Sequence, residues 1–168
     1  MSRGLLVAGI GNIFLSDDGF GVEVANRLAA QPLPPGVRVA DFGIRGVHLA
    51  YELLDGYDGL ILIDTVPMGE APGTVAVIEP DLSGSSSLDD DDVGVVDAHT
   101  MNPEVVLATL GRLGGRVERI YVVGCQPASL DEGMGLTPPV AAAVEGAVEL
   151  CNQLIAEIVQ PVGKGTSK

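Results

Sequence analysis

Five short apolar runs, separated by stretches of helical periodicity, constrain the fold of this chain more than any other feature. They are Leu5-Leu6-Val7-Ala8, Val37-Arg38-Val39-Ala40, Leu60-Ile61-Leu62-Ile63, Val75-Ala76-Val77-Ile78 and Ile120-Tyr121-Val122-Val123. Several are apolar at nearly every position, as expected of strands covered on both faces. Between them, Phe20 to Ala29 places Val24, Ala25 and Leu28 on one helical face, and the proline-rich stretch from Pro32 to Pro35 ends it. A second helix is expected from Val47 to Leu54. A third opens at Pro103 with Asn102 as its cap, and a long last one begins at Thr137-Pro138 by the same logic and runs to about Val159.

Strands alternating with helices predict an α/β fold: a three-layer α/β/α sandwich around a mostly parallel, twisted sheet of about five strands. The sheet order is not readable from the pattern. The run at Val75 follows Asp64 too closely for a helical crossover, and Pro67, Gly69 and Pro72-Gly73 supply turn material. A hairpin-like step with one antiparallel strand is therefore expected there.

At 168 residues, one domain over 1–162 and a frayed tail over 163–168 account for the chain. The apolar runs are far shorter than the roughly 18 residues that suggest a membrane span, and the start, Met1-Ser2-Arg3-Gly4, lacks the features of a secretory signal. Cytoplasmic localisation with no membrane partner is the expectation. A net charge of −14 disfavours nucleic acid as a partner, because phosphate binding needs clustered Lys and Arg. Part of that charge is the run Asp89-Asp90-Asp91-Asp92 after a serine-rich segment, which reads as a solvated loop. Cys125 and Cys151 have neither disulfide-framework nor metal-finger spacing and read as buried structural thiols.

Chemistry concentrates where the strands end. The segment Gly9-Ile10-Gly11-Asn12 leads through Asp17-Asp18 to Gly19-Phe20-Gly21, so two carboxylates stand where a phosphate-binding loop would receive an anion. The loop reads as built for a cation. Asp41 closes the second run, Asp64 the third, and His99 follows the loop after the fourth. In an open α/β sheet, ligands bind beyond the carboxyl ends of the strands. Each residue also has an ordinary structural reading: Asp17 and Asp18 as first-turn acids of a helix, Asp41 and Asp64 as turn caps, Asp64 together with Thr65. Carboxylates with one imidazole suit a borderline divalent metal such as nickel or zinc. Neither the paired-histidine helix of zinc proteases nor a nucleophile elbow is present.

In this order, Gly9-Ile10-Gly11-Asn12, Asp17-Asp18-Gly19, Asp41-Phe42-Gly43-Ile44-Arg45-Gly46, Asp64 and His99 resemble the hydrogenase maturation endopeptidases. The segments Gly124-Cys125-Gln126-Pro127-Ala128-Ser129 and Gly135-Leu136-Thr137-Pro138 extend the resemblance over nearly the whole chain. It implies a peptidase that removes the C-terminal extension from the precursor of a nickel–iron hydrogenase large subunit after nickel insertion. It further implies that Asp18, Asp64 and His99 contact the metal, that Asp41 takes part in cleavage, and that the nickel arrives with the substrate. Phe42 and the pair Ile44-Arg45 stand where many members carry small or polar residues. A guanidinium at Arg45 would suit a substrate carboxylate.

Two other classes share some of these features. A non-enzymatic nickel carrier would use the same ligands. A dinucleotide-binding oxidoreductase would use Gly9 and Gly11, but Phe14 occupies the third glycine position and Asp17 and Asp18 would repel a pyrophosphate.

Overall fold

A computed structural model describes residues 4–43, 46–54, 56–79, 117 and 119–159. In chain order the elements are β1 (Leu5–Ile10), a 3-10 turn (Ser16–Gly19), α1 (Phe20–Ala29), β2 (Val37–Gly43), α2 (Gly46–Leu53), β3 (Gly59–Thr65), β4 (Val75–Ile78), β5 (Arg119–Cys125) and α3 (Pro138–Val159). The expected helix from Pro103, the acidic run 89–92 and the tail 163–168 lie outside the described residues.

The strands form one five-stranded sheet in the order β2-β1-β3-β5-β4. β1 pairs in parallel with β2 and β3, and β3 pairs in parallel with β5. Successive residues of β1 point to opposite faces, yet all six are buried, because helices cover both sides. On one face Leu5, Val7, Ile61, Ile63 and Val123 pack with Phe20, Val24 and Leu28 of α1 and with Val140, Val144 and Ile155 of α3. On the other, Leu6, Ala8, Leu60, Leu62 and Val122 pack with Leu49 and Leu53 of α2. Fully enclosed side chains such as Phe20 and Leu28 each stabilise the fold by about 1.5–3 kcal/mol relative to exposure.

The antiparallel strand exists, but the expected hairpin does not. β4 pairs antiparallel with β5, which lies between it and β3. The physical reason lies in the strands themselves: Val122 and Val123 of β5 are buried, as an interior strand requires, whereas the residues of β4 are partly exposed and suit an edge. The chain leaving β3 instead crosses the end of β5, where the Val66 amide donates to the Cys125 carbonyl and the Gly73 amide to that of Gln126.

Helix α1 is pulled hard onto the sheet. A Cβ on Gly9 would overlap the Gly21 carbonyl and the Ala25 methyl, and one on Gly21 would overlap the carbonyls of Ile10 and Ile63. That close approach brings the 3-10 turn leading into α1 against the carboxyl edge of β1 and β3. Among the described residues no helix is long and apolar enough to cross a membrane.

Candidate active site

The sheet register carries three of the expected acidic residues to one edge. Gly9 of β1 stands opposite Asp41 of β2 on one side and Ile63 of β3 on the other, so Asp41 and Asp64 end the strands that flank β1. Two strand spacings separate those backbones, roughly 10 Å. Asp18 arrives from the 3-10 turn that follows β1.

Asp18 and Asp64 are brought together through Thr65. The Thr65 hydroxyl donates to Oδ1 of Asp18 at 3.1 Å, and its backbone amide donates to Oδ1 of Asp64 at 2.7 Å. The turn-capping reading of Asp64 is therefore realised alongside its placement beside Asp18. The other oxygen of Asp18 accepts the Asn12 amide at 2.8 Å, while the Asn12 side chain accepts the amide of Phe14 at 2.9 Å. Gly11 makes this turn with φ +146°, and a Cβ there would overlap the Asp18 carbonyl. Burial, and then the charge of Asp18, push the Asp64 carboxyl well above its ordinary value, and the two Thr65 hydrogen bonds only partly offset them. Among the described residues neither carboxylate is paired with a Lys or Arg; the two ion pairs there are Arg27–Glu23 and Arg38–Glu52. A carboxylate pair of this kind, short of positive charge, favours a divalent cation with oxygen ligands.

Asp41 stands at the same edge, exposed, and has no part in the Asp18–Thr65–Asp64 linkage. The register shifts there, Gly9 facing Asp41 and Ile10 facing Gly43, so β2 carries one residue more than β1. Such a bulge bends the strand and re-aims its side chains. His99 and Arg45 lie outside the described residues. Within those described, no three His, Cys, Asp or Glu side chains are grouped closely enough to hold a metal.

Asp17 does not join the pair. It is fully enclosed, the only buried charged residue among those described. Its Oδ2 accepts the amides of Ala128 and Ser129 at 2.8 and 3.0 Å, and its Oδ1 accepts the amide of Thr137 at 2.7 Å. The Thr137 hydroxyl lies within hydrogen-bonding distance of both oxygens. Burial raises the Asp17 pKa, but these bonds outweigh it and leave the carboxyl below its ordinary value. Thr137 does begin α3, since its carbonyl accepts the Ala141 amide, but its hydroxyl faces Asp17 and does not cap the helix. Pro138 and Pro139 have no N–H to cap, and the positive end of α3 favours the Asp17 charge. Of the two carboxylates in the loop, Asp17 is thus committed to the fold and only Asp18 is turned to the sheet edge. Residues adjacent on a 3-10 turn point about 120° apart, a signal that one of them had to face elsewhere.

Around Asp17 the loop 126–137 is strapped to the loop 11–19. Ser16 donates its amide to the Gly133 carbonyl at 2.7 Å and its hydroxyl to the Asp131 carbonyl at 2.7 Å, and the Gly133 amide donates to the Phe14 carbonyl at 2.9 Å. Ser16 holds φ +52°, a left-handed conformation costly for a residue with a side chain and maintained here by those bonds. Below the strap, Cys125 is buried and its thiol is pushed up to about 11 by burial and by the Asp17 charge; burial pushes Cys151 up to about 12. Both stay protonated at neutral pH, in keeping with the structural reading. The loop that a dinucleotide would occupy carries Asp18, bonded back to the Asn12 amide, where a pyrophosphate would have to sit.

Comparison with known proteins identifies the architecture. Residues 22–154 match the sequence profile of the HycI hydrogenase maturation protease family. The hydrogenase expression/formation protein HupD of Rhizobium leguminosarum bv. viciae is 32% identical over 151 residues, covering 86% of this chain and 70% of that one. The hydrogenase 2 maturation protease of Escherichia coli K12 is 32% identical over 152 residues, covering 86% of each chain. The solved structure of the hydrogenase maturating endopeptidase HybD from E. coli superposes with a TM-score of 0.73 at 29% identity, over 92% of this chain and 93% of that one. On the agreement of sequence, α/β fold and topology, the chain belongs to the hydrogenase maturation protease family and is an endopeptidase of the hydrolase class.

Proposed function

We infer that this endopeptidase removes the C-terminal extension of a nickel–iron hydrogenase large-subunit precursor once nickel has been inserted, and that it does so in the cytoplasm. The observation that carries the reading is the Asp18–Asp64 pair: two carboxylates at the carboxyl edge of the sheet, linked by one threonine, with Asp64 held high by burial and by the charge beside it. Asp18 and Asp64, joined by His99, take open coordination positions on nickel that the precursor already holds. Nickel in that role is part of the substrate, and it supplies both a docking point and a Lewis acid for the neighbouring carbonyl.

The chain's own residues do the rest. Asp18 and Asp64 orient the precursor so that the scissile peptide lies along the strand ends near Asp41. A water oxygen bonds to the scissile carbonyl carbon, the C–N bond breaks, and the proton lost by the water ends on the departing amine. Asp41 is the exposed acid at this edge that suits holding that water. Recognition through the metal makes cleavage conditional on insertion, since a precursor without nickel lacks the docking point.

Intact-mass spectrometry of a large-subunit precursor from the same genome, with and without nickel, tests the reading directly. Loss of a C-terminal peptide only from the nickel-loaded precursor, and not with Asp18→Ala or His99→Ala, is the expected result. Cleavage at the normal rate by Asp18→Ala would overturn the docking model. An unchanged mass for every nickel-loaded precursor of that genome would favour the nickel-carrier reading.

A further inference from the structure

Beside the carboxylate pair lies an exposed apolar surface that the reaction as described leaves unused. Phe14 is 60% exposed and Ile13 41%, both on the loop 11–19; Met134 is 68% exposed and Leu130 45%, both on the loop 126–137. Side chains this large and this open on adjacent loops are unusual for a surface without a partner. The loops are joined through backbone bonds on either side of Gly133, with Leu15 and Gly133 paired as in a short parallel ladder, so Phe14 and Met134 flank one bridge. Asp17 locks the two together from beneath with donors from Ala128, Ser129 and Thr137. A platform held this firmly loses little conformational freedom when something binds to it.

Charge narrows the occupant. The two loops carry Asp17, Asp18, Asp131 and Glu132 and no Lys or Arg. Asp17 is enclosed and Asp18 is turned to the sheet edge, so the acids exposed beside the apolar side chains are Asp131 and Glu132. A second copy of this chain docking through the same surface would oppose acid to acid, in a protein of net charge −14. Nucleic acid and anionic lipid are repelled for the same reason. A polypeptide with apolar side chains flanked by Lys or Arg complements both features. The platform is also continuous with the site, because Asn12 binds Asp18 through its amide and Phe14 through its side chain.

We propose that Ile13, Phe14, Leu130 and Met134 form the docking surface for a basic-flanked apolar segment of the precursor, a specificity contact separate from the metal. This rests on the functional reading above and adds a second, metal-independent contact to it. Docking here sets the direction in which the precursor chain runs past Asp18 and Asp64, while the metal reports that insertion is complete.

The test uses the whole protein and the nickel-loaded precursor. Phe14→Ser with Met134→Ser is expected to raise KM at least about tenfold with kcat little changed, as for loss of central interface anchors. The same variant is expected to weaken binding of the nickel-free precursor, which the metal contact does not reach. Asp131→Asn with Glu132→Gln is expected to raise KM about two- to fivefold at low salt and to flatten its salt dependence. Leu54→Ser, at an exposed leucine after α2, serves as the control for adding a polar group to the surface. Unchanged KM and nickel-free binding in the Phe14/Met134 variant, with a wild-type enzyme that cleaves, would overturn the docking surface and leave the functional reading intact. A concentration-dependent wild-type dimer that the variant abolishes, with KM unchanged, would assign the surface to self-association instead. A wild-type chain that cleaves no precursor overturns the functional reading, and the assigned occupant with it.

Discussion

Asp17 and Asp18 are neighbours in sequence and opposites in environment. Asp17 is enclosed and surrounded by donors from a loop more than a hundred residues away, and its carboxyl lies below its ordinary value. Asp18 turns to the sheet edge, where it faces Asp64 and raises that carboxyl further than burial alone would. The first negative charge is neutralised within the fold and holds two loops in place. The second is set against another acid with no Lys or Arg paired to either among the described residues, an arrangement that costs stability unless a cation arrives from elsewhere. The same residue type thus builds the frame at one position and leaves a site open at the next.

The most forceful way to break this comparison is to remove each charge in turn. If Asp18 docks on nickel as proposed, Asp18→Ala should lower cleavage of nickel-loaded precursor by at least about 100-fold, since loss of a direct ligand exceeds the 10- to 100-fold typical of its supporting partners, while the melting temperature changes little. Asp17→Ala should do the reverse first: removing a buried, multiply bonded charge leaves its donors without an acceptor, at about 3–5 kcal/mol. For a chain of this size that corresponds to a fall in melting temperature of roughly 10 °C. If Asp17→Ala melts like wild type, the strap does not hold the frame.

The pH dependence should separate the two carboxylates as well. Because the Asp17 pKa is lowered on folding, its contribution is fully present above the ordinary value of 3.8 and is lost as pH falls through the depressed folded value. The stability gap between wild type and Asp17→Asn should therefore be widest at neutral pH and narrow below about pH 4. For Asp64 the sign is opposite. Its pKa is raised, so its contribution is greatest below the ordinary value of 3.8 and is lost as pH rises through the folded value. Asp64→Asn should accordingly raise the melting temperature of the metal-free protein at pH 7, by about 0.5–2 kcal/mol of added stability, while impairing cleavage. Thermal melts of the variants across pH 3–8 would decide both signs.

Much of this arrangement was legible in the sequence. The five apolar runs became the five strands, and α1 begins and ends where its pattern and the following prolines put it. Continuous apolar runs signal burial on both faces whatever their neighbours, so strand identity survives without knowledge of the order. The order does not, because nothing local in Val75–Ile78 says that β5, rather than β3, will offer it an edge. Asp18, Asp41 and Asp64 were visible because carboxylates at strand ends are conspicuous in an α/β pattern. The role of Asp17 was hidden for the opposite reason: its donors come from 128–137, and only the folded chain brings that loop beneath it. Thr65 reads in the sequence as a turn partner of Asp64, whereas its hydroxyl contact with Asp18 joins residues 47 apart.

Thr65 offers the finest test of the comparison, because it touches only the open side. Its amide bond to Asp64 belongs to the backbone and survives substitution, whereas the hydroxyl, which bonds Asp18 and also favours the charged form of Asp64, is lost. Thr65→Val keeps the shape and β-branching of the residue and removes that hydroxyl alone. The expected result is about a tenfold loss in cleavage of nickel-loaded precursor, at the low end for groups that orient a ligand, with Thr65→Ser restoring most of it. A structural role would lower the melting temperature of Thr65→Val in proportion. A positioning role leaves the melt nearly unchanged and raises KM for nickel-loaded precursor more than for nickel-free binding. Equal effects on both forms of the precursor would mean that Asp18 is held by its Asn12 contact alone, and that the threonine serves only the strand end.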